Sequence, residues 1–135
     1  MSRALRVEDM WAADAASRAL GMTLVEVAEG RAVVRMTVRD DMLNGHGTAH
    51  GGLVATLADS AFAVACNSHG VAAVASGFEV TFLRPAHVGD VLVATAQERS
   101  LTARTGICDV TVRRPDGEVV AEFRGRSRQL PPRTP

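Results

Sequence analysis

His50-Gly51-Gly52-Leu53-Val54-Ala55-Thr56-Leu57-Ala58-Asp59-Ser60-Ala61-Phe62-Ala63-Val64-Ala65-Cys66-Asn67 is the stretch that organises this chain. Wound as a helix, it is apolar almost all the way round, and a helix of that kind belongs in a protein interior. Its one charge is Asp59. Burying an unpaired carboxylate costs several kcal/mol, so a carboxylate in such a setting is a candidate for chemistry. The plainer reading is a structural carboxylate hydrogen-bonded to a neighbouring chain. The Gly51-Gly52 pair marks the helix start, and by itself reads as no more than a flexible lead-in.

Working outward, the period changes on both sides of this helix. Residues 7–19 read as a short amphipathic helix ended by Gly21. Met22–Ala28 and Arg31–Val38 alternate as two strands joined at Glu29-Gly30. Residues 39–50 form a polar loop rich in Gly and His, and the helix follows over about 51–67. Beyond His69-Gly70 the pattern gives strands near 73–84, 88–99, 102–114 and 118–128, with a turn at Arg114-Pro115-Asp116-Gly117-Glu118. The N-terminal 20 residues form a helical segment, and 129–135 read as a frayed tail on a single domain spanning 1–135.

Six strands and one apolar helix predict an α+β fold, an antiparallel sheet curling round the helix. Such a sheet leaves open edges and part of the helix uncovered, so pairing with a second copy is expected.

Composition narrows the partners. The chain has 135 residues, 47% apolar and 22% charged, as in ordinary globular domains. Fifteen basic residues balance fifteen acidic ones, which argues against nucleic acid or an anionic membrane as partner. No uninterrupted apolar run is long enough to span a bilayer, and acidic residues occupy the N-terminus where a signal peptide needs an apolar core; a cytoplasmic location is expected. Cys66 and Cys108 lack metal-site spacing and read as small core residues. His46 and His50 have no third ligand and no intervening Glu, so no metal is expected there. His69 and His87 read as solvated loop residues.

The motif Asn44-Gly-His-Gly-Thr-Ala-His50-Gly51-Gly52, then Leu57-Ala-Asp59-Ser-Ala-Phe-Ala and Ala65-Cys-Asn67-Ser68, resembles the hotdog-fold acyl-CoA thioesterases, in particular the phenylacetic acid degradation (PaaI-type) branch. The resemblance runs over roughly residues 10–128, including Phe82-Leu-Arg84-Pro85 and the closing Glu122-Phe-Arg-Gly-Arg126-Ser. It implies a six-stranded antiparallel sheet wrapped round the long helix, protomers joined through their sheets into a required dimer, and a tetramer of two dimers. It implies hydrolysis of an acyl-CoA thioester, of the phenylacetyl-CoA or hydroxyphenylacetyl-CoA kind, with no cofactor, coenzyme A being part of the substrate.

Two requirements of thioester cleavage map onto these residues: polarising the carbonyl and delivering an oxygen to its carbon. Gly51 presents a backbone N–H at the positive end of the helix, a candidate oxyanion donor that a substrate can approach closely. Asp59 serves as general base or as nucleophile. The two lie eight residues apart, ~12 Å along a helix. They cannot reach one carbonyl together, so a shared reaction centre requires two chains.

By resemblance, Asn44 holds water or the thioester, His50 orients the loop, and Gly52 shapes the turn. Some aryl-CoA relatives have a hydroxyl one turn past the carboxylate, where this chain has Ala63; any help from such a hydroxyl is absent here or comes from Ser60 or Ser68 instead. Arg84, Arg124, Arg126 and Arg128 are candidates for CoA phosphates, and Arg84 and Arg126 are carried as substrate-binding residues. Two other readings are a non-catalytic acyl-CoA binding or sensing module and an enoyl-CoA hydratase. The hydratase commonly has a histidine shortly after its aspartate, and Val64 stands there instead.

Overall fold

The computed structural model of the chain describes residues 5–131. Two short helices open it, α1 (Val7–Ala12) and α2 (Ala15–Ala19), where one helix over 7–19 was expected. The break falls at Asp14. Its side chain accepts from Ser17 N–H at 2.9 Å, capping α2 and drawing its own backbone out of the helical region.

The strands are β1 (Thr23–Ala28), β2 (Arg31–Thr37), β3 (Ala73–Phe82), β4 (Val91–Thr102), β5 (Thr105–Arg113) and β6 (Val119–Gln129). They form one antiparallel sheet in the order β1-β2-β4-β5-β6-β3. β6 extends through Gln129, and Leu130 N–H donates to Ala72 C=O at 2.8 Å, so the ordered chain reaches into the segment read as tail. Residues 132–135 of that tail, and 1–4 of the N-terminal segment, lie outside the described residues.

The helix α3 (Gly51–Asn67) begins and ends where the sequence placed it. Asn67 locks its C-terminal end: its amide donates to Ala63 C=O and Ala73 C=O at 2.8 and 3.0 Å and accepts from Ala73 N–H at 2.8 Å. Strand alternation puts Leu92, Ala94 and Ala96 of β4, Cys108, Val110 and Val112 of β5, and Phe123 of β6 against the helix. Gly125 of β6 lies directly beneath Phe62, where a Cβ would stand 2.7 Å from the ring; the missing side chain lets helix and sheet sit flush.

The helix is not covered on every side. Leu57, Ala58, Ala61, Phe62 and Ala65 are buried, but Ala55, Thr56, Asp59 and Ala63 are only half-buried and share one face. The sheet covers the opposite face, so an all-round apolar helix is left with a partly open stripe. The sheet's edge is open too. β3 pairs only with β6, and Val74, Phe78 and Phe82 on it are 48%, 48% and 50% exposed.

Candidate active site

The helix start is built by its own loop. Leu43 and Ala49 form a bridge, His50 N–H donates to Met42 C=O at 2.8 Å, and Ala49 N–H to Ala86 C=O at 2.8 Å. These bonds fix the approach of the chain to α3. His50 is the N-cap: its Nδ1 accepts from Gly52 N–H at 3.0 Å, which leaves the ring hydrogen on Nε2. The N–H groups of Leu53 and Val54 go to His50 C=O at 2.9 and 3.1 Å. Among the described residues, Gly51 N–H alone in this first turn has no protein acceptor.

Asn44 organises the preceding loop. Its Oδ1 accepts from His46 N–H at 2.9 Å and from Thr48 N–H at 3.2 Å, while its Nδ2 donates to Thr48 Oγ1 at 3.1 Å. One amide hydrogen of Asn44 remains uncommitted.

Asn44 and Gly51 face a common groove of about 370 Å³, whose walls include Val54, Phe82 and Arg84. Arg84 bonds Val119 C=O at 3.1 Å and pairs with Glu118 at 3.2 Å, so its guanidinium is held beside the groove. Among the described residues, no carboxylate lines this groove.

Asp59 lies elsewhere on the protomer, two turns further along α3 on its half-open face. Burial, and then the negative charge of Asp14, push its carboxyl above the ordinary value of 3.8, with no hydrogen bond or cation to pull it back. The carboxylate is therefore a stronger base than usual, partly desolvated and without a partner among the described residues.

Other residues read from the sequence are committed differently. The Ser60 hydroxyl is buried and 2.7 Å from Ser17 Oγ; the Ser68 hydroxyl donates to Ala65 C=O and accepts from Gly30 N–H, both at 2.7 Å. Helix geometry turns Ser60 toward α2 and Ser68 toward the β1–β2 turn, where their hydroxyls link packed elements of the protomer. Arg126 projects from the outward face of β6 and pairs with Glu79 at 2.9 Å, and Arg124 pairs with Asp109 at 2.7 Å; neither lines the groove.

Cys66 and Cys108 are buried free thiols, each pushed up to about 12 by burial, hence inert packing groups. His69 is not solvated as expected. Its Nε2 lies 2.7 Å from the Glu98 carboxylate, whose side chain is 9% exposed, and its Nδ1 lies 3.3 Å from Glu29.

Comparison with known proteins agrees with this geometry. The thioesterase superfamily model matches residues 46–121, the span from the histidine loop into β6. The chain is 49% identical over 121 residues to the acyl-coenzyme A thioesterase PaaI of Escherichia coli, covering 90% of this chain and 86% of that protein. The E. coli PaaI structure superposes with a TM-score of 0.91 at 47% identity, covering 93% of this chain and 91% of that one. A Streptococcus mutans protein solved bound to acetyl CoA gives a TM-score of 0.79 at 27% identity, over 84% of this chain and 91% of that one. An open helix-start amide beside a groove, a basic carboxylate two turns on and these likenesses agree: the chain belongs to the thioesterase superfamily, among its hotdog-fold acyl-CoA thioesterases of the PaaI type.

Proposed function

We propose that this enzyme hydrolyses an aryl-acyl or related CoA thioester, of the phenylacetyl or hydroxyphenylacetyl kind, to the free acid and CoA at sites shared by two subunits. One observation carries the reading. The groove that holds the uncommitted Gly51 N–H contains no carboxylate, while the basic Asp59 of the same chain stands about two turns away on the same helix. Each protomer thus offers half of a reaction centre at each of two places. The apolar, unpaired edge of β3 supports a dimer that joins the sheets and brings the halves together. Two such dimers associate as a tetramer in this reading.

Gly51 N–H donates to the thioester carbonyl oxygen as charge develops on it, a contact worth roughly 3–4 kcal/mol where measured in other enzymes. Asp59 of the second subunit then acts in one of two ways. As a base it removes a proton from water, whose oxygen adds to the carbonyl carbon; collapse expels the CoA thiolate, which takes up the proton. As a nucleophile its carboxylate displaces the thiolate to give a mixed anhydride, and water hydrolyses that. Neither route uses a metal or redox cofactor. His50 and Gly52 hold the helix start, Asn44 directs its free amide hydrogen toward the thioester or water, and Arg84 meets a CoA phosphate. The working location is the cytoplasm.

Thiol release from a panel of CoA esters tests the substrate, with preference for aryl-acyl esters expected. Mixing two inactive chains, Asp59→Asn and Gly51→Ala, tests the sharing. In a mixed dimer one site receives both intact groups and the other neither, so activity returns to up to half of wild type per dimer. If mixed dimers stay inactive, both groups act within one chain and the shared site is wrong.

A further inference from the structure

The chain's aromatic residues are few and gathered in one place. It has four phenylalanines, one tryptophan and no tyrosine. Phe62 of α3 and Phe123 of β6 pack ring to ring in the core, 5.7 Å between centroids, and are 1% and 2% exposed. Phe78 of β3 stacks on Phe123 in turn, at 4.8 Å and 28° between planes. Phe82 ends the same strand.

Register fixes which way the two β3 rings point. Phe78, Val80 and Phe82 pair with Gly125, Phe123 and Ala121 of β6, the row that lies against α3. They therefore occupy the helix-side face of the edge strand. Phe78 and Phe82 are nevertheless half exposed, where a ring committed to the core would be covered. Their settings differ. Phe78 leans on Phe123, whereas Phe82 stacks on no ring among the described residues. The tip of the Phe82 ring, Cζ with both Cε atoms, meets Gly51 instead. Phe82 also walls the groove onto which Gly51 opens, together with Asn44 and Val54.

A leucine at this place would serve as apolar cover. A phenylalanine adds a flat face that prefers a second ring in offset or edge-to-face contact. A carbonyl oxygen held on Gly51 N–H brings the first atoms of its acyl group to Phe82. Phe78 lies four residues back along β3, ~13 Å at the strand rise, too far for a ring one methylene from that carbonyl.

We infer that Phe82 is a specificity-determining residue: its free ring face packs against the aromatic ring of the acyl group and favours aryl-acyl over straight-chain thioesters. This rests on the proposed hydrolysis with Gly51 N–H on the carbonyl oxygen, and adds the side chain that reads the acyl group.

The test is kcat/KM for thiol release from phenylacetyl-CoA and from hexanoyl-CoA, in wild type and in Phe82→Leu, Phe82→Met, Phe82→Tyr and Phe78→Leu. Partial loss of fold or assembly lowers both esters alike and cancels in their ratio. Phe82→Leu and Phe82→Met are expected to lower the phenylacetyl-to-hexanoyl ratio roughly 3- to 10-fold, the worth of one aromatic contact. Phe82→Tyr retains a ring and is expected to keep the ratio, as is Phe78→Leu. A ratio unmoved in both ringless Phe82 variants, or moved as far by Phe78→Leu, overturns the inference. The underlying reading fails separately, through wild-type turnover in Gly51→Ala or Asp59→Asn; loss of turnover in those two, with an unmoved ratio in the Phe82 variants, sinks this inference alone.

Discussion

Phe82 closes over Gly51: a Cβ built on the glycine would stand 3.1 Å from the ring's Cζ. The ring belongs to the open edge strand and is 50% exposed, so it can swing away where a buried ring could not. Gly51→Ala is therefore expected to fold and melt near wild type while losing roughly 100-fold or more in kcat/KM, because the methyl obstructs approach to the N–H. Adding Phe82→Ala relieves the crowding but is expected to leave that loss in place. Recovery in the double variant would trace the defect to the displaced ring instead.

Asp59→Asn should cost roughly 100-fold or more in kcat and at the same time raise the melting temperature at pH 7. The sign follows from linkage. Folding raises this carboxyl above 3.8, so the folded state binds the proton more tightly than the unfolded chain. Stability then falls as pH rises from 3.8 through the folded value, and the penalty is complete above that value. Asparagine never ionises and escapes it. Thermal melts across pH check this: the variant's advantage should vanish below pH 3.8, and a lower melting temperature than wild type at pH 7 contradicts the account.

His69 gives a second pH effect, of opposite origin. Burial alone would lower it, but hydrogen bonds and charge from Glu98 and then Glu29 outweigh burial and hold the imidazolium above its ordinary 6.5. A raised histidine contributes stability that is complete below 6.5 and lost as pH climbs through the folded value. Wild-type melting temperature should decline over that window, and Glu98→Gln should flatten the decline. Equal slopes in the two proteins would remove the pair as its cause.

The β4–β5 hairpin turns at Ala103-Arg104, between the paired Thr102 and Thr105, with Ala103 at φ 56°. A left-handed backbone costs a non-glycine residue roughly 1 kcal/mol, and glycine removes that strain while loosening the unfolded chain. Ala103→Gly is expected to stabilise by roughly 0.5 kcal/mol, read as a higher denaturant midpoint at unchanged slope.

That same turn shows where sequence reading ran out. Thr102-Ala103-Arg104-Thr105 has no Gly, Pro or Asn to announce a reversal, so the strand boundary was placed three residues early. The central helix was legible to the residue, because a glycine pair, an apolar run and a terminal Asn all mark it. The break at Asp14 was missed, since an aspartate within an amphipathic pattern looks like a solvated position until its cap bond to Ser17 is seen. Of the candidate residues, Gly51 and Asp59 were read from the helix itself, and Asn44 and His50 from the resemblance of the loop motif. The pairing of Ser60 with Ser17 and of His69 with Glu98 spans 43 and 29 positions, and no local pattern encodes such meetings. Phe82 was missed for a related reason: alternation does not say which strand lies at an edge.

The strand order has a bearing on how the chain is made. β3 follows directly after the central helix, yet its one neighbour is β6, the last strand to be synthesised. On the ribosome, Val74, Phe78 and Phe82 therefore wait without a ladder until about the final residues of the domain emerge. Premature termination before Val119 would release a nascent chain in which β3 and β5 both lack the strand that joins them, a substrate for chaperones or proteases well before it could become an enzyme.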